Sequence, residues 1–273
     1  MGLCSITEEI MRIGISTGCL YPMSVYDSIY ELTEAGFKVF EIFFNTFSDL
    51  ENDCIDKLKA RLDTFDAEVV SVHPFTSSFE SFLLFSDYKQ RFFDGVNFYE
   101  MFFRAAQKLG AKRVVLHGLT TAYQSKLSDS EYFSRFAVLQ QRAACYGVEL
   151  IQENVNRFRS GDPAFIRKMT EEIHAHCAFV CDTKQARLCG ISASEMTDAM
   201  GSSLKQIHIS DHSGENSCLL PGKGCFDTEG FLRHLKLSGF DGELIIEVYR
   251  FSYGDQSELT DARVHLQAII ERL

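Results

Sequence analysis

Eight short apolar runs recur along the chain, and a longer amphipathic stretch follows each of them. Runs of about four to eight residues bounded by turn residues are typical of buried strands, and apolar side chains at helical spacing mark the stretches between them. Strict alternation of strands and helices favours a parallel sheet with helices outside it. The runs lie at 12–17, 38–44, 69–74, 112–118, 148–154, 178–183, 204–211 and 243–249.

Eight strand–helix units predict a closed (β/α)8 barrel rather than an open sheet. The first run lacks the G-x-G-x-x-G turn that a dinucleotide-binding sheet would carry. No linker rich in Pro, Gly or Ser divides the chain. We therefore expect residues 1–11 to be an N-terminal extension and residues 12–273 to form one barrel domain. Helices are predicted at 24–35, 88–109, 129–146, from 163 onward, and at 192–200, 228–237 and 259–272.

Composition and charge limit where the chain is expected to reside and what it is expected to bind. The formal net charge of −11 works against nonspecific binding to nucleic acid. No apolar run approaches the roughly 18 residues that span a bilayer, and the first dozen residues do not resemble a secretory signal. Nine scattered cysteines without a C-x-x-C pair argue against a disulfide framework. We expect a cytoplasmic chain with no nucleic-acid or membrane partner, and a homo-oligomer is compatible with the sequence.

Each of the last four predicted strands ends with a potential metal ligand, namely Glu153, Asp182, His208 or Glu247. The C-terminal strand ends of a parallel barrel gather at one face, so these four side chains should converge. Three carboxylates buried together need protons or a cation to offset their charge. A mixed set of oxygen and imidazole ligands predicts one divalent metal ion at this face.

Two histidines hold matching places on earlier strands, His73 in SVHP and His117 in VLHG. They are candidates for contacts to substrate oxygens, for acid/base steps or for a second metal, although a lone strand histidine is more often a core residue. Glu41 could be a buried hydrogen-bonding partner at the same face. Lys223 in the PGKG turn and Arg250 after Glu247 are candidate anchors for substrate, and either could equally be a solvated charge.

Other polar and aromatic residues border the predicted mouth of the barrel. Asp211 could orient a neighbouring ligand, and His212 is expected in the following loop. Most of the phenylalanines should pack helices against the barrel, while Phe44, Phe75 or Phe79 are candidates for the wall of the pocket.

Seven short motifs follow one another along the chain: VVSVHP, VVLHG, LIQENV, FVCDTKQA, QIHISDH, PGKGCFD and GFDGELIIEVY. In these motifs and their order, nearly the whole chain resembles the xylose isomerase-like TIM-barrel superfamily. That superfamily holds sugar isomerases, ketose 3-epimerases, inosose dehydratases, hydroxypyruvate isomerases and endonuclease IV. The resemblance implies that Glu153, Asp182, His208 and Glu247 hold one ion of manganese, magnesium, cobalt or zinc. It also implies that Glu153 and Glu247 form the acid/base pair of an epimerase.

Two departures from the family pattern bear on the reaction. Many relatives carry a histidine three residues after the aspartate, where this chain has Gln185, which we expect to hold a substrate hydroxyl. The stretch 213–224 lacks the D-x-H pair of the endonuclease branch. This absence argues against a trinuclear zinc site.

The leading hypothesis is a metal-dependent isomerase or epimerase of a sugar or sugar acid that acts by proton transfer through an enediolate. An inosose-type dehydratase that acts on a polyol would use the same ion and bases. An endonuclease IV-like phosphodiesterase and a non-catalytic sugar- or metal-binding barrel are further alternatives.

Overall fold

Eight parallel strands close into a barrel in the computed structural model, which describes residues 11–173 and 177–273. Each strand pairs with its sequence neighbours, and β1 pairs with β8 to complete the circle. The predicted (β/α)8 barrel is therefore confirmed. The strands are β1 (Arg12–Ser16), β2 (Val39–Phe43), β3 (Glu68–His73), β4 (Arg113–Leu116), β5 (Glu149–Glu153), β6 (Phe179–Asp182), β7 (Leu204–Ile209) and β8 (Glu243–Ile246).

Helices surround the barrel, and several of them begin at a capping side chain. Ser24, Ser128 and Ser192 each accept a backbone N–H in the first turn of the helix that follows them. The helices are α1 (Val25–Glu34), α2 (Asn52–Thr64), α3 (Ser77–Leu83), α4 (Lys89–Leu109), α5 (Asp129–Ala144), α6 (Pro163–Ile173), α7 (Thr183–Leu188), α8 (Ala193–Met200), α9 (Thr228–Leu237) and α10 (Ser257–Ile270). None of the helices within these ranges is long and apolar enough to span a membrane.

The long predicted helices agree with the structure to within a few residues, but α2, α3 and α7 were not predicted as separate helices. The helices α3 and α7 are seven and six residues long, too short for a clear apolar period. Residues 1–10 of the expected N-terminal extension lie outside the described residues, whereas Met11 packs in the core. The assignment of 12–273 to one domain stays a prediction.

The C-terminal halves of the strands carry polar side chains into the barrel interior. Glu41 on β2 lies level with Ser71 on β3, and Asp182 on β6 pairs in register with His208 on β7. All four side chains are buried. Because parallel strands share one direction, these groups lie at the same end of the barrel, where the βα loops build the candidate site.

Candidate metal and active site

The four predicted metal ligands come from neighbouring strands and meet at the mouth of the barrel. Glu153 and Asp182 are the last residues of β5 and β6, His208 lies near the end of β7, and Glu247 directly follows β8. One donor atom from each lies within 4.8 Å of the donor atoms of the other three. Buried carboxylates and one imidazole so close together form a donor set that suits a hard divalent ion.

Asp182 is oriented by the start of α7. Its Oδ1 accepts a hydrogen bond from the backbone N–H of Gln185 at 3.0 Å, as a helix N-cap does. Asn154 locks the peptide of Asp182, since its Oδ1 accepts from the Asp182 N–H at 2.7 Å. The second carboxylate oxygen, Oδ2, is buried and has no hydrogen-bond partner among the described residues. The helix cap therefore occupies one oxygen, while the other lies 3.3 Å from the Lys184 ammonium and makes no hydrogen bond to the described residues.

His208 is oriented by Glu41. Its Nε2 lies 3.0 Å from Glu41 Oε2, which also accepts from the Ser71 hydroxyl and the Gln206 amide, each at 2.8 Å. This contact favours the proton on Nε2 and leaves the Nδ1 lone pair facing the site. A carboxylate behind a histidine is the arrangement that fixes the tautomer of many metal-binding imidazoles.

Orphaned acceptors mark the centre of the cluster. Asp182 Oδ2, His208 Nδ1 and Glu247 Oε2 are buried without a hydrogen-bond partner in the part of the chain that the structure describes. His208 Nδ1 and Glu247 Oε2 lie only 3.1 Å apart. A lone pair and a carboxylate oxygen at that distance repel each other unless a proton or a metal ion lies between them. The residues therefore fit the divalent ion that the sequence predicts.

Burial and neighbouring carboxylates shift the pKa values of two of these groups, Asp182 and His208. Burial raises the pKa of Asp182 to about 7, because its charged form loses water and faces the carboxylates of Glu153 and Glu247. Burial lowers the pKa of His208, but the charges of Glu41 and Glu247 outweigh it and hold that pKa well above its usual range. Burial is the main cause of the shift at Asp182, and neighbouring negative charge is the cause of the shift at His208. A bound cation would offset this negative charge in place of protons.

We expect Glu41→Gln to weaken divalent-metal affinity by about 10- to 100-fold, because an amide is a poorer partner for the His208 ring than a carboxylate. Titration calorimetry with Mn²⁺ measures the change. Glu100→Gln is the control, since Glu100 is a buried carboxylate on α4 that hydrogen-bonds Tyr146 instead. An unchanged affinity in Glu41→Gln would show that His208 needs no carboxylate behind it.

His117 is held by a buried glutamate of α3. Glu80 Oε2 accepts from the backbone N–H groups of His117 and Gly118, both at 2.8 Å, and Glu80 Oε1 lies 3.0 Å from His117 Nδ1. The opposite nitrogen of the ring, Nε2, lies 3.5 Å from Glu153 Oε2. Burial lowers the pKa of His117, but Glu80 outweighs it and raises that pKa to about 9. His117 therefore presents a hydrogen-bond donor to the site.

His73 lies between the two candidate acid/base glutamates. Its Nδ1 is 3.1 Å from the carbonyl oxygen of Pro74, and its Nε2 is 3.9 Å from Glu153 Oε2 and 3.8 Å from Glu247 Oε1. The ring stacks on Phe43 with centroids 4.7 Å apart. Both histidines predicted at the barrel mouth are thus brought next to the predicted metal ligands Glu153 and Glu247.

A cavity of about 410 Å³ opens beside this cluster, a size in the range of small-molecule sites. Clefts of about 520 and 610 Å³ elsewhere on the surface are lined by none of the four predicted ligands. Most of the wall is aromatic or apolar, with Glu247 and Lys184 as its charged groups. The lining residues are Gly18, Tyr21, Phe43, Asn45, Phe75, Lys184, Glu247, Val248 and Tyr249. Of the three phenylalanines considered from sequence, Phe75 lines this cavity, Phe44 is buried in the core and Phe79 is largely exposed.

None of the five predicted substrate contacts, His73, His117, Gln185, Lys223 and Arg250, is among these lining residues. The Gln185 side-chain oxygen accepts from the backbone N–H of Asn156 at 3.0 Å. Lys223 is exposed and its Nζ lies 3.7 Å from Glu258, and Arg250 donates to the carbonyl of Tyr253 at 3.1 Å. Their substrate-binding role stays a prediction.

Asp211 ties the turn that carries Lys223 to the barrel. Its Oδ2 accepts from the backbone N–H groups of Gly222 and Gly224, and its Oδ1 from those of His212 and Phe226. Both oxygens are thus committed to the loop rather than to a neighbouring ligand. His212 is partly buried in that loop, as expected.

The sequence analysis did not identify two residues of the candidate site, Glu80 and Lys184. Glu80 lies in the serine-rich segment SSFES and gives no periodic or motif signal. Lys184, two residues after Asp182, reads as an ordinary solvated lysine but is only 6% exposed. Its Nζ lies 3.3 Å from Asp182 Oδ2 and 4.0 Å from Glu247 Oε2. Burial lowers the pKa of Lys184, but these carboxylates outweigh it and hold that pKa well above its usual range.

Comparison with known proteins agrees with this architecture. An uncharacterized protein of Mycobacterium leprae is 23% identical, over 92% of this chain and 93% of that protein. The structure of 3-keto-D-glucoside 4-epimerase from E. coli covers 94% of this chain and 99% of its own, with TM-score 0.76 and 19% identity. The structure of IolI protein with a bound zinc atom covers 96% of this chain and 99% of its own, with TM-score 0.78 and 15% identity. Residues 29–270 match a family of xylose isomerase-like TIM barrels, and the chain therefore belongs to the xylose isomerase-like TIM-barrel family.

Proposed function

We propose that this chain is a divalent-metal-dependent isomerase or epimerase that acts on a sugar or sugar acid. The proposal is carried by the convergence of Glu153 and Glu247, whose carboxylates both face His208 Nδ1, at 3.6 and 3.1 Å. Two carboxylates that share one buried centre suit a reaction in which one group removes a proton and another returns it.

The chemistry of the bound ion is one part of this proposal. A divalent ion held by Glu153, Asp182, His208 and Glu247 would polarise a substrate carbonyl and make the adjacent C–H more acidic. Glu153 or Glu247 takes that proton, which leaves an enediolate. The other group, as the carboxylic acid, returns a proton to the opposite face of the same carbon in an epimerase. In an isomerase the proton goes to the former carbonyl carbon, and the proton of the adjacent hydroxyl moves to the former carbonyl oxygen.

The remaining groups bind and orient the substrate. His117, with Nδ1 held by Glu80, directs Nε2 towards a substrate hydroxyl, and His73 does so between the two glutamates. Gln185 is a further proposed contact at the rim. The aromatic walls of Phe43 and Phe75 exclude water from the apolar face of the substrate. The 4-epimerase activity of the E. coli neighbour and the zinc of IolI are consistent with this class of reaction.

A solvent-exchange assay tests the proposal. The Mn²⁺-loaded protein is incubated in D₂O with a panel of ketopentoses, ketohexoses, inososes and 3-keto-glycosides, and products are read by NMR. We expect deuterium at the carbon next to the carbonyl together with a second stereoisomer or carbonyl isomer. Loss of a β-hydroxyl would instead identify a dehydratase.

Two further outcomes would contradict the proposal. Tight metal binding without exchange in any member of the panel would favour a non-catalytic sugar- or metal-binding barrel. Incision of abasic-site DNA in a parallel gel assay would favour a phosphodiesterase. We expect no incision, because the net charge of −11 disfavours DNA.

A further inference from the structure

Lys184 is a buried cation at the edge of the cavity, and no step proposed so far uses it. It is the second residue of α7, and its side chain is only 6% exposed. Lysines are seldom buried unless their charge is paired. Here Nζ lies 3.3 Å from Asp182 Oδ2, 4.0 Å from Glu247 Oε2 and 4.8 Å from the centre of the Tyr249 ring.

The two oxygens nearest to Lys184 are the same oxygens that would bind the metal ion. Asp182 Oδ2 and Glu247 Oε2 are two of the orphaned acceptors at the centre of the cluster. The ammonium and a divalent ion therefore compete for their negative charge. Competition for a shared partner weakens the binding of each cation when the other is present.

The position of Lys184 also faces the substrate side. The residue lines the cavity of about 410 Å³ together with Glu247 and Tyr249. An ammonium has three N–H donors, and its two carboxylate neighbours leave at least one for the cavity. Glu247 lies among three groups, since Oε1 is 3.8 Å from His73 Nε2, while Oε2 is 3.1 Å from His208 Nδ1 and 4.0 Å from Lys184 Nζ. A substrate that occupies this cavity next to Glu247 would thus lie beside the Lys184 ammonium.

We infer that Lys184 is a catalytic residue of the proposed reaction, whose ammonium group hydrogen-bonds the substrate oxygen on which negative charge develops. Its role is electrostatic, and it neither gives nor takes a proton. The inference rests on the proposed isomerase or epimerase activity. A preorganised cation in a site that excludes water stabilises a developing oxyanion far more than it would in water.

Lys184→Met tests this inference, because methionine keeps much of the length of the side chain and removes the charge. We expect kcat to fall about 10²- to 10³-fold, as for loss of one oxyanion donor, with a smaller change in KM. Calorimetry should show Mn²⁺ binding about fivefold or more tighter, because the competing cation is gone. Lys184→Arg should recover part of kcat, since it restores the charge.

Lys168→Met is the matched control. Lys168 also pairs with an aspartate, Asp129 at 2.9 Å, but on the exposed outer surface. The Lys168→Met variant should have the kcat, KM and Mn²⁺ affinity of the wild-type protein.

Two results would overturn the inference. A Lys184→Met variant with wild-type kcat would show that the ammonium does not act on the substrate. Weaker Mn²⁺ binding together with a lower melting temperature would show that the pair with Asp182 only supports the fold. If the wild-type protein turns over no substrate of the panel, this result contradicts the proposed function, whatever Lys184 does. The Mn²⁺ titration then still decides whether Lys184 competes with the ion.

Discussion

Glu247→Gln should lower kcat by about 10³-fold or more, the upper range for loss of one acid/base group. Glutamine keeps the size of the side chain but can neither take a proton nor offer a full negative charge. Glu153→Gln should have an effect of similar size, since the two carboxylates act in one proton-transfer sequence. Steady-state kinetics with the best substrate of the panel measures both variants.

The double variant and a control sharpen this prediction. Groups that act as a unit are not additive, so Glu153→Gln with Glu247→Gln should cost little more than either change alone. Glu149→Gln is the control, because Glu149 opens the same strand as Glu153 at the opposite end of the barrel. A Glu247→Gln variant whose kcat stays within about tenfold of wild type would exclude it as an acid/base group.

Removal of the divalent ion should abolish turnover and lower the melting temperature by about 5–10 °C. An ion present at about 100 times its Kd stabilises the folded chain by about 2.7 kcal/mol, and each kcal/mol shifts the melting temperature of a domain this large by about 2–4 °C. The physical reason is that only the folded barrel brings Asp182, His208 and the two glutamates together. Differential scanning fluorimetry with a chelator, and then with added Mn²⁺, measures the shift.

A variant without the donors provides the comparison for this prediction. The melting temperature of the double variant His208→Ala with Glu247→Ala should not respond to Mn²⁺. A wild-type melting temperature that is insensitive to manganese, magnesium, cobalt and zinc alike would contradict a structural and catalytic ion at this site.

The sequence was sufficient to predict the barrel and the convergence of Glu153, Asp182, His208 and Glu247 at one of its faces. Apolar strands at regular intervals specify a parallel barrel, and its geometry brings the ends of β5 to β8 to one face whatever the loops do. The position of a candidate ligand at a strand end, such as Glu153, can therefore be predicted from the sequence. The set of four ligands remains a prediction, supported by their mutual distances and by orphaned acceptors on three of them.

Side chains in loops and short helices could not be placed in the same way. Lys223 lies in the loop that follows β7, and Arg250 lies three residues after Glu247. They contact Glu258 and a backbone carbonyl outside the cavity lining. Glu80 and Lys184 have no periodic pattern around them, because α3 and α7 are short. Their burial depends on how these helices pack over the barrel mouth, which is a property of tertiary structure.

Anomalous diffraction from crystals soaked in Mn²⁺ tests the central claim most directly, since it locates the ion independently of any substrate. We predict a single strong peak at the barrel mouth, surrounded by Glu153, Asp182, His208 and Glu247. A peak bound by other residues, or no peak at saturating Mn²⁺, would contradict the claim that these four side chains share one metal ion.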